Sequence, residues 1–316
     1  MNEKNLKEQL AFTPKLEGGL SQKDLAGYDN VIIGGVGGSA LAARTLFFLD
    51  PTFPAWLHDD YGLPVKNEGK TLYVAISYSG NTAETLSFAK KASEAGHSLI
   101  AITSGGELLN WSLESKVPHI LIPSGFKPRD CVLYMLRALL YAINRTDLFV
   151  KPEEGFIDFQ KVFEHGREIG KNLEKKIPLI YASRSNQTLS YIWKIMLNET
   201  GKIPAFANYF PELVHNEAQG IIPKTAGALT ENLKILLLLD KEDDERISRG
   251  MNVFQDLASS QGVEIISVDL PLGKTNKLLY VLAAASSASK AIAEAHGVDA
   301  SSVPFIDLFK KSMLLL

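Results

Sequence analysis

The sequence lacks the features that define several large classes of protein. It contains one cysteine, Cys131, in 316 residues, which excludes an intrachain disulfide and a cysteine-based metal cluster. Such low cysteine usage favours a reducing, cytoplasmic setting. Uninterrupted apolar runs, such as residues 235–239, are far shorter than the roughly 18 residues of a membrane-spanning helix. The N-terminal stretch is polar and carries charges of both signs, so we expect no signal peptide there.

An excess of charge of one sign is also lacking. The chain has 33 Lys and Arg residues against 36 Asp and Glu residues, which gives a net charge of −3. Because this balance favours neither nucleic acid nor an anionic membrane surface, we expect neither as a partner. Hydrophobic residues make up 46% of the chain, which is typical of a globular protein long enough for two domains.

Short apolar runs alternate with helical patterns along the chain. We expect strands at residues 30–33, 55–58, 71–77, 98–104, 119–123, 177–183, 234–240 and 262–269. This alternation predicts an α/β fold with two doubly wound domains, each a parallel sheet flanked by helices. Residues 149–155 are polar and contain Pro and Gly, so we expect the domain linker there and domains at 1–150 and 151–316.

A turn of small hydroxylated residues ends one predicted strand. Residues 77–82 (Ser-Tyr-Ser-Gly-Asn-Thr) separate that strand from a helical pattern that starts at Ala83. Free N–H groups and the positive helix end favour an anion at such a turn, and Ser77, Ser79 and Thr82 add hydroxyl donors. The turn has no Lys or Arg, which excludes a Walker A loop and favours a terminal phosphate monoester as the ligand. The alternative is an ordinary strand–helix turn with Ser and Thr as caps.

A second small-residue turn follows the strand at residues 30–33. Residues 34–39 (Gly-Gly-Val-Gly-Gly-Ser) fail the dinucleotide spacing, because the third residue after Gly37 is Ala40, and we therefore do not expect NAD. We expect Gly37 and Gly38 to let the backbone approach a sugar, and Ser39 to cap the next helix toward that ligand. The alternative is a tight turn without a ligand.

Four further residues are candidates for acid–base or charge chemistry. Arg129 precedes a predicted helix and suits an oxyanion, or else is a surface cation or forms a salt bridge to Asp130. Glu199 ends a predicted helix, where the dipole disfavours a carboxylate and suits a general base, or else it is a surface carboxylate. His215 is the one of six histidines flanked by two carboxylates and an amide, which favours acid–base work over a structural role. Lys310 is by default a solvated charge.

Several segments together resemble the SIS (sugar isomerase) domains of the bifunctional phosphoglucose/phosphomannose isomerases. The matching segments are, in chain order, residues 35–40, 77–85, 198–199, 212–217 and 297–299, followed by Ile306 and Lys310. They cover nearly the whole chain. The turn at residues 77–85 resembles the phosphate loop that SIS domains share, and the His-Asn-Glu block at residues 215–217 resembles this isomerase family in particular.

The resemblance implies how the substrate is held. The phosphate would bind the hydroxyl turn, and the sugar would lie along the glycine-serine turn. The residues that would do so are Ser77, Ser79 and Thr82 for the phosphate, and Gly37, Gly38 and Ser39 for the sugar.

The resemblance also implies the chemistry. Glu199 would move a proton between C1 and C2, and Arg129 would stabilise the enediolate. His215 would assist ring opening from the partner subunit of a homodimer, with Lys310 beside it at the ring oxygen. This aldose–ketose isomerisation needs neither a redox cofactor nor a metal, so we expect no cofactor.

The sequence departs from the family pattern beside these groups. Val36 stands where the family more usually has methionine, residues 200–201 (Thr-Gly) where it often has Asn and a small residue, and Ala300 where it often has proline. Acceptance of mannose phosphate is linked in this family to a small hydroxylated side chain near the C-terminal segment. Ser301 or Ser302 is the candidate for that role.

Two other functions use the same fold. A non-catalytic phosphosugar sensor would keep the phosphate turn without the chemistry. A synthase half that makes glucosamine 6-phosphate would need an ammonia source, and the N-terminal catalytic cysteine of such enzymes is lacking, since Cys131 lies in the interior of the sequence.

Overall fold

The computed structural model describes residues 1–19, 25, 27–64, 69–149, 157–223 and 227–313. Two compact units divide the chain between Lys151 and Pro152. The linker expected at residues 149–155 lies, apart from Phe149, outside the described residues.

The first unit is a six-stranded sheet with helices. Its helices are α1 (Glu3–Ala11), α2 (Leu41–Leu49), α3 (Ala83–Glu94), α4 (Gly106–Glu114) and α5 (Val132–Ala142). Its strands are β1 (Leu16–Glu17), β2 (Asn30–Gly34), β3 (Ala55–His58), β4 (Thr71–Ser77), β5 (Ser98–Thr103) and β6 (His119–Leu121). The strand order is β1-β6-β5-β4-β2-β3, in which β1 is antiparallel to β6 and the other neighbours are parallel.

Strands β2 and β4 are neighbouring interior strands of this sheet, and β4 is covered on both faces. In β4 every residue from Leu72 to Ser77 is buried, which explains the uninterrupted apolar run in the sequence. The chain passes from β2 to β3 on one side of β2, and then from β3 to β4 on the other side of β2. The carboxyl ends of β2 and β4 therefore form a topological switch point, the place where open α/β sheets bind ligands.

The second unit is a four-stranded parallel sheet with helices. Its helices are α6 (Phe159–Leu173), α7 (Gln187–Glu199), α8 (Glu245–Ser260), α9 (Lys274–Ala295) and α10 (Pro304–Met313). Its strands are β7 (Ile177–Ser183), β8 (Phe206–Phe210), β9 (Leu233–Leu239) and β10 (Ile265–Asp269), in the order β10-β9-β7-β8. All neighbours are parallel. The predicted fold class is therefore confirmed.

Helix α9 is the core helix of the second unit and packs against α6 and α7. By length and a mean hydropathy of 1.2 it could cross a membrane, but 72% of that apolar window is buried inside the structure. The length of uninterrupted apolar runs in the sequence does not reveal the hydropathy of this helix, because serines interrupt its alanine-rich sequence. Glycines of α6 let the two helices meet closely, since a Cβ on Gly170 would lie 2.5 Å from the carbonyl oxygen of Ala288.

Candidate active site

The hydroxyl turn follows β4 at the switch point, and its hydroxyls differ in environment. Ser77 is fully buried; its Oγ donates to Thr82 Oγ1 at 3.0 Å and accepts from the Gly80 N–H at 3.1 Å. Ser79 is exposed, and its Oγ accepts from the Asn81 N–H at 3.2 Å. Ser77 thus stabilises the turn through buried hydrogen bonds, whereas Ser79 presents its hydroxyl to solvent.

Helix α3 begins directly at this turn. Thr82 is its N-cap residue, yet the Thr82 side chain caps none of the first-turn N–H groups. The Asn81 side chain instead caps the neighbouring helix α4, where its Oδ1 accepts from the Glu107 N–H at 2.9 Å. The N–H groups at the start of α3 are therefore oriented for an anion in the turn.

Glycine is required where the turn meets the start of α4. Gly80 has φ +69°, and a Cβ there would lie 1.9 Å from the carbonyl oxygen of Gly105. Gly106 has φ +71°, and a Cβ there would lie 2.2 Å from the carbonyl oxygen of Ser79. Because backbone atoms cannot retreat as a side chain would, these contacts fix the shape of the turn.

The glycine-serine turn after β2 touches the hydroxyl turn. Ser39 is buried, and its Oγ accepts from the Tyr78 N–H at 3.1 Å. Gly37 has φ +55° and open space where a Cβ would stand. The sequence-predicted residues of both turns thus lie together at one edge of the first sheet.

Arg129 lies against this edge. A Cβ on Gly38 would be 2.7 Å from Pro128 Cβ and 2.9 Å from the Arg129 backbone nitrogen, so only glycine allows the two segments to approach this closely. Arg129 is 1% exposed, and the solvated-surface alternative is therefore wrong. A buried guanidinium suits a developing oxyanion.

Local sequence spacing could not reveal how the Arg129 turn is held. Gln9 of α1 is fully buried; its Nε2 donates to the Asp130 carbonyl at 2.8 Å and its Oε1 accepts from the Leu133 N–H at 3.1 Å. Tyr78 links the hydroxyl turn to the loop that precedes Arg129, since the Tyr78 hydroxyl accepts from the Phe126 N–H at 2.8 Å. A glutamine in the amphipathic pattern of α1 was the only sequence signal for this support.

In the second unit, Glu199 is the last residue of α7 and is half-buried. Asn198 stabilises the loop that follows: its Oδ1 accepts from the Ala205 N–H at 2.9 Å and its Nδ2 donates to the Ala205 carbonyl at 3.3 Å. The Lys202 ammonium donates to the Glu199 carbonyl and to the Ser302 carbonyl. The cation thereby satisfies a helix C-terminal carbonyl, where positive charge is favoured.

His215 is exposed and ends a 3-10 helical turn at Glu212–His215, beyond the carboxyl end of β8. Glu217 anchors this segment to the sheet, because its carboxylate accepts from the Tyr181 hydroxyl and from Asn208 Nδ2. Burial first, and then the bond to Glu217, raise the pKa of Tyr181. These contacts assign Glu217 to holding the His215 segment.

Glu199 and His215 lie at opposite edges of the second sheet. Helix α7 starts beyond the carboxyl end of β7 and its 13 residues run back toward the amino edge, a length of about 20 Å. His215 follows β8 at the carboxyl edge. The structure therefore does not bring these two predicted residues together within one unit. Lys310 is exposed on α10, a helix without buried residues.

The switch point of the second sheet is filled by the protein's own charges. Asn186 Nδ2 donates to Asp240 at 2.8 Å, and Ser183 Oγ donates to Asp243 at 2.7 Å. Lys277 pairs with Asp240 and, at 2.8 Å, with Glu242. Carboxylates at this crevice disfavour a phosphate, so the first unit offers the better phosphate site. Among the described residues, no group of three or more His, Cys, Asp or Glu side chains is placed to hold a metal ion.

Comparison with known proteins identifies the family. Residues 164–313 match the model of the bacterial phospho-glucose isomerase C-terminal SIS domain. The chain is 32% identical to a bifunctional phosphoglucose/phosphomannose isomerase of Thermoplasma volcanium, over 98% of this chain and 97% of that protein. The chain belongs to the bifunctional phosphoglucose/phosphomannose isomerase family. The family predicted from the sequence is thus confirmed.

Other members of the bifunctional phosphoglucose/phosphomannose isomerase family are similarly related. The protein of that name from Caldicellulosiruptor bescii is 36% identical, over 72% of this chain and 73% of its own length. A D-glucosamine-6-phosphate 4-epimerase of Sulfolobus acidocaldarius is 33% identical over 58% of this chain and 61% of its own.

Solved structures support the fold. A hypothetical protein from Thermus thermophilus superposes with a TM-score of 0.74 at 16% identity, over 92% of this chain and 84% of that one. A glucosamine-6-phosphate deaminase from Thermotoga maritima superposes with a TM-score of 0.65 at 15% identity, over 95% of this chain and 96% of that one. At these identities the similarity establishes the fold that the family shares.

Proposed function

We propose that the protein is an aldose–ketose isomerase that interconverts glucose 6-phosphate and mannose 6-phosphate with fructose 6-phosphate through a cis-enediol. The observation that carries the proposal is the full-length similarity to a bifunctional isomerase, 32% identity over 98% of the chain. The phosphosugar turn and the buried Arg129 support it from the site. Such an enzyme would act in the cytoplasm, where these sugar phosphates enter glycolysis and leave gluconeogenesis.

The first unit would hold the substrate. The exposed Ser79 hydroxyl, Thr82 and the α3 N–H groups would bind the phosphate dianion, with Ser77 fixing the turn beneath them. Gly38 and Ser39 would let the sugar lie against the backbone. Binding energy from the phosphate, which does not react, would position C1 and C2 for the chemistry.

The second unit would supply the proton transfers. Glu199 would remove the proton at C2 of the aldose and return it at C1, while the hydroxyl proton of O2 is transferred to O1, which gives the ketose. Arg129 would stabilise the negative charge that develops on the enediolate oxygens. His215 and Lys310 would assist ring opening at the ring oxygen. The sugar is oxidised at C2 and reduced at C1, so the reaction is redox-neutral overall.

The position of Glu199 and His215 at opposite edges of the second sheet supports a homodimer with shared sites. One site cannot use both residues from a single second unit when a helix of about 20 Å separates them. We therefore infer that His215 of one protomer serves the site that contains Glu199 of its partner. A twofold axis would generate two such sites.

A coupled assay tests the reaction. Purified wild-type protein should form fructose 6-phosphate from both aldose phosphates, and Glu199→Gln should lower kcat by about 10²- to 10⁴-fold. Glu174→Gln is the matched control, because Glu174 is also half-buried and also stands at a helix C-terminus, that of α6. An inert wild type, or full activity of Glu199→Gln, contradicts the proposal.

Mixing two inactive variants tests the shared site. In a heterodimer of Glu199→Gln and His215→Ala, one site keeps both native residues if the sites are shared. Random subunit exchange should then restore about a quarter of wild-type activity. No recovery in a preparation with proven subunit exchange would contradict the shared arrangement while leaving the reaction itself standing.

A non-catalytic phosphosugar sensor is the alternative that the phosphate turn alone would allow. Such a protein would bind fructose 6-phosphate in a calorimeter but leave the protons of the sugar unexchanged. The half-buried Glu199 at the end of α7 and the buried Arg129 favour the enzyme.

A further inference from the structure

The loop that follows Glu199 holds one conformation through several independent contacts. Lys202 has φ +58°, a left-handed conformation that a residue other than glycine rarely adopts unless its surroundings impose it. A Cβ on Gly201 would lie 2.8 Å from the Leu197 carbonyl oxygen, so the chain passes close over the last turn of α7. The bonds of Asn198 to Ala205 close the loop from the other side.

This conformation directs the Lys202 ammonium between two distant parts of the second unit. One acceptor is the carbonyl of Glu199, the last residue of α7. The other is the carbonyl of Ser302, at 2.5 Å and 100 residues away in the sequence. A single half-buried cation thereby cross-links the residue proposed as the base to the C-terminal segment.

The C-terminal segment at residues 297–302 is anchored at its start by the end of α9. Gly297 has φ +64°, its N–H donates to the Glu294 carbonyl at 3.1 Å, and the Val298 N–H donates to the Ala293 carbonyl at 2.9 Å. This pattern is a Schellman motif, which fixes where the segment leaves the helix. The far end of the segment is the part that Lys202 holds.

Short bonds within the segment orient its two serines. The Asp299 carboxylate accepts from the Ser301 N–H at 2.8 Å and from the Ser301 hydroxyl at 2.7 Å. The Ser302 hydroxyl donates to the Asp299 carbonyl at 3.3 Å. These bonds tie Asp299 to both serines, and Lys202 connects the segment to the Glu199 carbonyl.

We propose that Lys202 is a positioning residue that couples Glu199 to the segment at residues 299–302 and thereby sets the preference between the two aldose epimers. The inference rests on the proposed function. Glucose 6-phosphate and mannose 6-phosphate differ only in configuration at C2, the carbon whose proton Glu199 would move. Because one ammonium binds both carbonyls, the segment lies beside the last residue of α7. A shift of this neighbour relative to the base would change the alignment of the two epimers unequally, and small misplacements have large effects on rate.

Lys202→Met tests this inference through a ratio. We expect kcat/KM for glucose 6-phosphate divided by kcat/KM for mannose 6-phosphate to change by about tenfold or more, with kcat lowered for both. Lys202→Arg should recover most of kcat, because a guanidinium can also donate to both carbonyls. Where Lys202→Met does not fold, Lys202→Gln replaces it, because the glutamine amide can reach one carbonyl but not both. The same change in the ratio is expected.

Lys176→Met is the matched control. Lys176 also binds a backbone carbonyl, that of Glu231 at 3.3 Å, and a second partner, Glu264 at 2.5 Å. These partners precede β9 and β10, on the far side of β7 from the Glu199 loop. This variant should lose thermal stability and keep the wild-type ratio.

Two results would overturn the inference. One is a folded Lys202→Met or Lys202→Gln variant whose ratio stays within about twofold of wild type; the other is a change of the same size in Lys176→Met. A wild type that converts neither aldose would instead overturn the proposed function, and the inference with it.

Discussion

Residues of one type in the hydroxyl turn do different work, and only the structure separates them. The sequence treats Ser77 and Ser79 as equivalent phosphate donors. Ser77 is fully buried with its hydroxyl engaged by Thr82 and Gly80, whereas Ser79 is exposed. The turn itself was predictable because strand, small hydroxylated residues and helix start are adjacent in the sequence. The burial of each hydroxyl was not, because it depends on the fold of the turn.

The two serines should therefore give different defects when replaced by alanine. Ser79→Ala should raise KM about tenfold with an unchanged melting temperature, since it removes a hydrogen bond to a charged ligand. Ser77→Ala should lower the melting temperature by about 3 °C as well, because the Gly80 N–H loses one of its two acceptors and the Thr82 hydroxyl loses a donor. Steady-state kinetics and differential scanning calorimetry measure both effects. Equal stability losses in the two variants would contradict the assignment.

Glu217 should prove structural in a denaturation experiment. Glu217→Ala leaves the Tyr181 hydroxyl and Asn208 without their acceptor, and should cost about 1–3 kcal/mol of the free energy of unfolding. The control is Glu212→Ala, because exposed Glu212 accepts from its near neighbour Asn216; it should change the free energy by less than about 0.5 kcal/mol. Urea unfolding gives both values, and similar costs for the two variants would contradict the anchoring role.

At the scale of elements, the buried strands were the predictable part. Strands β4, β7 and β9 are covered on both faces, and their sequences are accordingly continuous apolar runs. Strand β8 was not predicted, because it is an edge strand with half-exposed residues, including Asn208, and has no such run. Helix α4 was missed because it opens on Gly105 and Gly106, which indicate a turn when only the sequence is considered.

The contact of α6 with α9 predicts that Gly170→Ala lowers the stability of the protein, whereas helix propensity alone predicts that it raises it. Gly170→Ala should destabilise the protein by about 1–3 kcal/mol, because its Cβ would lie 2.5 Å from the backbone oxygen of Ala288. Gly250→Ala in α8 should instead stabilise it by about 0.5–1 kcal/mol, since nothing lies within 4 Å of a Cβ there. Chemical denaturation distinguishes the two signs. Stabilisation by Gly170→Ala would show that the helices pack differently.

At the scale of the whole molecule, the sequence predicted the family and the fold class. It did not predict that Glu199 and His215 lie at opposite edges of one sheet, because that follows from the direction of α7 and the order of the strands. It also gave no sign that the switch point of the second sheet is filled by Asp240, Asp243 and Lys277. These residues are 37 or fewer positions apart, but their meeting depends on the sheet topology.

This charged cluster gives the stability of the protein a defined pH dependence. Burial raises the pKa of Asp243. The hydrogen bond from Ser183 opposes this effect, and the negative charge of Asp240 adds to it. The folded state thus favours the protonated acid, so ionised Asp243 destabilises the protein above its folded-state pKa, and this cost disappears as the pH falls through that value. For Asp240, burial opposes ionisation, but Lys277 outweighs it and lowers the pKa, so its stabilisation is lost as the pH falls through its folded-state pKa.

Asp243→Asn should accordingly raise the melting temperature at pH 7–8, with a gain that shrinks toward about pH 4, the ordinary range of a carboxyl. Asp240→Asn should lower it at neutral pH, because it weakens the pairing of the buried Lys277 at a cost of about 3 kcal/mol. Thermal unfolding across this pH range tests both. A gain for Asp243→Asn that grows as the pH falls would contradict the assignment.

The central claim is that Glu199 moves the proton at C2 of a phosphosugar, and proton NMR of mannose 6-phosphate in deuterated water tests it most directly. With wild-type protein the C2 proton signal should disappear as solvent deuterium enters the sugar. With Glu199→Gln the exchange should slow by about 10²- to 10⁴-fold, while phosphate binding is retained. Persistence of the C2 signal with the wild type, or exchange at the wild-type rate with Glu199→Gln, would contradict the claim.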